Sequence, residues 1–162
     1  MIKKEHAEYW ITRLKMASHP EGGYFREEYR AGKSILTEGQ TSGRSAMTTI
    51  FYLLEKDDFS AFHRIQSPES WFFHRGSPLL IYSFEKGTLI CRELSDQESG
   101  TLQITIEPGV WFAACLKEKR HFVLVSCAVA PGFEYEEFEL AERSSLLSEY
   151  PDYEQEIVTL TR

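Results

Sequence analysis

What this sequence lacks narrows its function before any motif is considered. Its 18 Lys and Arg are scattered singly or in pairs among 25 Asp and Glu, for a net charge of −7. Nucleic-acid binding needs clustered cations to neutralise phosphates, so no nucleic-acid partner is expected. No apolar run approaches the ~20 residues of a membrane span. The opening Met1-Ile2-Lys3-Lys4-Glu5-His6 has no apolar leader core, so no membrane partner is expected either. The 3 cysteines, Cys91, Cys115 and Cys127, form no C-x-x-C pair and sit among apolar neighbours. An odd count without a leader fits a reduced, cytoplasmic protein in which they act as small hydrophobes. There is no Gly-rich phosphate loop, no G-x-S-x-G and no Cys–His arrangement, which leaves nucleotide hydrolysis and nucleophilic catalysis without support.

What is present is β-rich and aromatic, with Phe, Trp and Tyr making up 14% of the 162 residues. Ala7, Trp10, Ile11 and Leu14 follow a helical period, which predicts a helix over 3–17, ended by Ser18-His19-Pro20. Glu21-Gly22-Gly23 reads as a tight connection into a strand at 24–29, and 31–45 reads as a loop. Eight strands are then expected at 46–54, 59–65, 70–75, 79–85, 88–94, 101–106, 110–115 and 121–129. The breaks between them carry turn residues such as Gly76-Ser77-Pro78, Lys86-Gly87 and Pro108-Gly109. A helical pattern at 141–149 and an acidic tail follow. Strands at this regular spacing predict one domain, a barrel or sandwich over about 22–140 with a C-terminal helix and tail over 141–162.

The chemistry gathers around His63. In a strand His63 and Ile65 share a face, and Glu69 and Gly76 follow at fixed spacing. This resembles the first motif of the cupin superfamily, H-x-H-x(3–4)-E-x(6)-G, with Ile65 in place of the second His. The second motif's turn is present as Glu107-Pro108-Gly109, but Phe112 stands where its His is expected. Two of four ligand positions are therefore apolar, and neither a metal nor another cofactor is expected; His74 is the remaining candidate ligand. Without a metal, His63 can act as a general acid or base, with Glu69 or Arg64 setting its pKa. The glycines after Glu21 allow close backbone approach and could aim Glu21 and Arg26 at a ligand. Arg26, Arg44 and Arg64 could clamp an anion, while Tyr24, Trp71 and Trp111 are candidate pocket walls.

The run His19-Pro20-Glu21-Gly22-Gly23-Tyr24-Phe25-Arg26-Glu27 resembles the H-P-E-G-G-Y-[YF]-R-E opening of a small uncharacterised RmlC-like cupin family. The resemblance continues collinearly through Phe59-Ser60-Ala61-Phe62-His63-Arg64, Glu69-Ser70-Trp71, Gly109-Val110-Trp111 and Val129-Ala130-Pro131-Gly132-Phe133. It implies a mainly β fold, a cupin jelly-roll barrel with an N-terminal helix and a short C-terminal helix, assembled as a homodimer. Phe72 and Phe112 depart from the family's frequent His and Gln, which makes the pocket more apolar. By analogy with RmlC-like sugar epimerases, the resemblance implies a small anionic or sugar-like ligand in the barrel. It also implies a metal-independent proton transfer with His63 as the base. The alternatives are a non-catalytic ligand-binding or sensing module and a metal-dependent cupin enzyme.

Overall fold

Strand formation follows a two-residue period where one face is exposed, as at Gln103–Ile106, and continuous apolar runs such as Phe122–Val129 form strands buried on both faces. A computed structural model describes residues 3–36 and 43–162. After helix α1 (Ala7–Leu14) come β1 (Ala17–Ser18), β2 (Tyr24–Arg30), β3 (Ser34–Ile35), β4 (Arg44–Ser45), β5 (Thr48–Glu55) and β6 (Phe59–Arg64). Then follow β7 (Glu69–Gly76), β8 (Leu79–Glu85), β9 (Thr88–Leu94), β10 (Gln103–Ile106), β11 (Phe112–Leu116), β12 (Phe122–Val129) and β13 (Glu139–Leu140). Two helices close the chain, α2 (Arg143–Glu149) and α3 (Glu154–Thr159). All eight strands expected between 46 and 129 form, with ends shifted by no more than two residues.

Two antiparallel sheets face each other. One has the order β1-β2-β5-β12-β7-β10 and the other β13-β6-β11-β8-β9, and β3 pairs with β4 apart from both. Tyr52, Leu54, Trp71, Val123, Val125 and Cys127 from the first sheet meet Leu79, Ile81, Phe112 and Ala114 from the second in the central core. Their sequence neighbours point the other way. Leu53, Phe122 and Leu124 pack beneath α1, and Phe62, Trp111 and Ala113 pack beneath α2 and α3 through Leu146, Ile157 and Leu160. A slip of one residue in any central strand would exchange these two sets.

Three expectations need correction. The helix predicted over 3–17 spans only Ala7–Leu14, because Lys15 adopts a left-handed cap with φ 51°. Ala17 and Ser18 then pair with Phe25 and Tyr24. Ladder hydrogen bonds to a neighbouring strand thus replace the last helical turn. The loop expected over 31–45 holds the β3–β4 pair, and its residues 37–42 lie outside those described. The acidic tail is helical, and it buries Ile157 and Leu160 almost completely.

Candidate functional site

The turn from His19 to Gly23 builds the floor of the site. Its backbone closes on itself through Gly22 N–H to the His19 carbonyl (3.1 Å) and His19 N–H to the Gly23 carbonyl (3.0 Å). Ala61 N–H on β6 donates to the Glu21 carbonyl at 2.8 Å, and Tyr52 O–H on β5 donates to the Gly22 carbonyl at 2.6 Å. Gly22 and Gly23 have φ of +116° and +72°, and a Cβ on either would overlap neighbouring backbone. Only glycine allows this approach. On the outer side, Arg162 donates to the Asp58 carboxylate (2.7 Å) and the Phe59 carbonyl (3.0 Å). The bonds to Ala61 and Tyr52 tie the turn to β6 and β5, and the Glu21 side chain lies buried beside them.

Glu21 meets His63 there. His63 Nδ1 lies 2.7 Å from the Ala61 carbonyl oxygen, which can only accept, so Nδ1 carries a hydrogen. Nε2 then faces Glu21 Oε2 at 3.1 Å. A ring nitrogen and a carboxyl oxygen at that separation attract only if a proton lies on one of them, so the pair holds one proton between them. Ser60 O–H, fully buried, donates to the other oxygen, Oε1, at 2.8 Å. His19 receives the Glu21 N–H on its Nδ1 at 3.2 Å. Burial lowers the His19 pKa, against the raising effect of Glu21, which favours the neutral ring.

These groups open into a cavity at the end of the barrel where the central core stops. Its wall is aromatic and aliphatic, with Phe25, Ile50, Tyr52, Ile65, Trp71 and Phe138 prominent in it. Glu69 at the start of β7 is buried in this wall beside Cys127 and Trp71. Burial first, then the Glu21 charge, push its pKa up to about 8, although the Cys127 thiol and Trp71 indole N–H partly oppose this. The indole N–H makes no bond of hydrogen-bond geometry. Burial and the neighbouring carboxyls also push the Cys127 thiol well above its ordinary range.

Of the residues singled out from sequence, Glu21, His63, Glu69 and Trp71 line this cavity; Tyr24, Arg26, Arg44, Arg64 and Trp111 do not. Alternation explains most of the second group. Tyr24 and Trp111 belong to the outer clusters, while their neighbours Phe25 and Phe112 point inward. Arg26 donates to the Leu14 carbonyl, and Arg64 lies over Trp111 and pairs with Glu139. Arg44 is buried against Glu137 and the Gly132 carbonyl. No anion clamp forms from these three. The partner of His63 is Glu21 and not Glu69, because the 19–23 turn runs against β6 whereas Glu69 belongs to the facing sheet. Sequence reading also passed over His19, Tyr52, Cys127 and Phe138. His19 and Tyr52 act through backbone bonds to the Glu21 turn, which no spacing records, though His19 stands inside the quoted motif.

The pocket does not fit a cupin metal. Ile65 presents an aliphatic face beside His63, and the Phe112 ring lies 4.2 Å from the imidazole. Among the described residues no three His, Cys, Asp or Glu side chains converge as ligands. His74, the candidate for a missing ligand, bonds Ser126 on the exposed side of its sheet.

Two facing antiparallel sheets enclosing a pocket at one end define the cupin class. Residues 8–141 match the family described as Cupin superfamily (DUF985), and the chain belongs to that family. It is 27% identical over 142 residues to the uncharacterised protein YML079W of Saccharomyces cerevisiae, covering 78% of this chain and 71% of that one. A hypothetical protein from Leishmania major superposes with a TM-score of 0.89 at 30% identity, covering 96% of this chain and 98% of the other. Protein SO0799 from Shewanella oneidensis does so at 0.87 and 32%, covering 97% and 98%. Oxalate decarboxylase from Bacillus subtilis shares the fold, with a TM-score of 0.57 at 10% identity over 88% of this chain and 36% of that enzyme. Among the described residues no helix is long and apolar enough to cross a membrane.

Proposed function

We propose that this cupin binds a small, uncharged or sugar-like organic molecule in its barrel and transfers a proton to and from it without a metal. The observation that carries this reading is the buried His63–Glu21 contact at 3.1 Å, a one-proton pair at the floor of a pocket walled largely by aromatic and aliphatic side chains. Both ring nitrogens of His63 are engaged, whereas each Glu21 oxygen takes one such contact and keeps a second lone pair, so the acceptor open to a ligand is the Glu21 carboxylate, and His63 is the proton store behind it. The site takes the base role expected of His63 and shares it between the two residues. A multiply charged group such as a phosphate is disfavoured, because Glu21, Glu27 and Glu69 line the cavity. Arg30, the arginine among the described lining residues, is spent on Glu27, Glu134 and the Phe133 carbonyl.

Native mass spectrometry with elemental analysis of the protein as purified tests the binding. A small organic adduct without stoichiometric metal is expected, and one metal per chain would overturn the reading. Glu21→Gln and His63→Ala should stay folded and lose deuterium exchange into the recovered ligand by roughly 10²–10⁴-fold. A ligand bound unchanged by all three proteins, with no exchange, would mark a binding or sensing module instead.

A further inference from the structure

Among the described residues Glu69 has no cationic partner in the pocket, and this asks for an explanation. It lines the cavity with 7% of its surface exposed. The groups facing it are the Cys127 thiol from β12, the Trp71 indole from its own strand and the Glu21 carboxyl from the turn below. His19, His63 and Tyr52 complete the polar lining of this inner part. Two carboxyls in one low-dielectric cavity without a free cation do not both ionise. Glu21 has His63 against it; Glu69 has only the neutral N–H and S–H groups. Glu69 therefore stays protonated at neutral pH, in keeping with a pKa near 8, and presents an O–H donor. Trp71, two residues on and so on the same face of β7, turns its buried indole N–H towards the Glu69 carboxyl without completing a hydrogen bond of normal geometry. An unpaired buried N–H costs free energy until an acceptor arrives.

We infer that Glu69 and Trp71 form a neutral donor pair that holds the oxygen of a small carbonyl compound, with the Glu21–His63 pair removing a hydrogen from the carbon beside that carbonyl. This rests on the proton-transfer reading above and names its substrate class: aldehydes and ketones with an acidic α-hydrogen, including hydroxyketones and open-chain sugars. The α C–H bond breaks and its proton goes to the Glu21 carboxylate. Its electron pair forms a carbon–carbon double bond as the carbonyl π pair moves onto oxygen. The Glu69 O–H and Trp71 N–H stabilise that enolate oxygen, a use of a neutral carboxyl known to suit apolar sites. Return of the proton to the same carbon exchanges or inverts it. For a hydroxyketone, return to the neighbouring carbon with proton shuffling between the oxygens isomerises it. No oxidant or reductant is required.

Phenols substituted at the 4-position test the donor pair without requiring turnover, because a phenolate mimics a planar enolate. With the full chain, binding is followed by the phenolate absorption band. The expected result is selection of the ionised form and affinity that rises with phenol acidity. Glu69→Ala should lose about 10-fold or more of that affinity. Uptake of neutral phenols with no acidity trend, no saturable binding, or indifference to Glu69→Ala overturns the inference. Deuterium exchange of dihydroxyacetone in heavy water, read by proton NMR, separates the two readings. Exchange should fall ~10²–10³-fold in Glu69→Ala. It should also decline above about pH 8 in the native protein but not in the near-isosteric Glu69→Gln. Phenolate selection without any exchange retains the donor pair and removes the proton-transfer reading. Exchange indifferent to Glu69 retains proton transfer and removes the donor pair.

Discussion

Single residues in this chain carry conformational and electrostatic demands that their types alone do not show. Gly22 and Gly87 both have positive φ, +116° and +82°, yet only Gly22 is enclosed, against the Phe59 carbonyl and the Arg162 guanidinium. Gly87→Ala should therefore cost only left-handed strain, on the order of 1 kcal/mol. Gly22→Ala should cost more than about 2 kcal/mol, because it adds a clash with backbone. Urea denaturation of the two variants measures the difference. Glu69 makes a second prediction. Its folded-state pKa of about 8 lies above the 4.5 of a free carboxyl, so the unfolded state releases the proton first as pH rises. The stability associated with this group is intact below about pH 4.5 and is lost towards pH 8, at about 1.4 kcal/mol per pH unit. Glu69→Gln should thus gain stability relative to the native protein between about pH 5 and pH 8, as read by thermal melting across that range. A parallel pH dependence in the two proteins would show that Glu69 titrates normally.

At the scale of elements, most strands were legible because each is a short alternating or apolar run that ends at a turn. The ends of helices were less so. α1 stops early because β1 finds a partner in β2, a bond between segments that local propensity does not contain. α3 was read as a tail because its apolar residues are few. Ile157 and Leu160 are nevertheless enough when Phe62 and Trp111 supply the other half of the contact. The tail closes the outer face of the second sheet, and Ile157→Ala should cost about 2–5 kcal/mol, measurable by denaturant titration. A cost below about 0.5 kcal/mol would show that α3 is not docked in solution.

For the whole molecule, we propose a homodimer. Among the described residues β9 and β10 stand at sheet edges with one side unpaired. Natural sheets cover or blunt such edges, and two-fold association is a common means. Sedimentation equilibrium should return twice the chain mass; a monomer at micromolar concentration would refute it. The sequence by itself determined the class of fold, since alternating strands, turn glycines and the His63–Glu69–Gly76 spacing are properties of neighbours along the chain. It also pointed to His63, Glu21, Glu69 and Trp71, through motif and face. Only the tertiary structure decided which carboxyl stands against His63, that Arg26, Arg44 and Arg64 are spent elsewhere, and that Phe112 rather than Trp111 faces inward. Those outcomes depend on how one sheet registers against another and on which loop crosses beneath which strand. Distance between segments far apart in the chain sets both, and local pattern does not encode it.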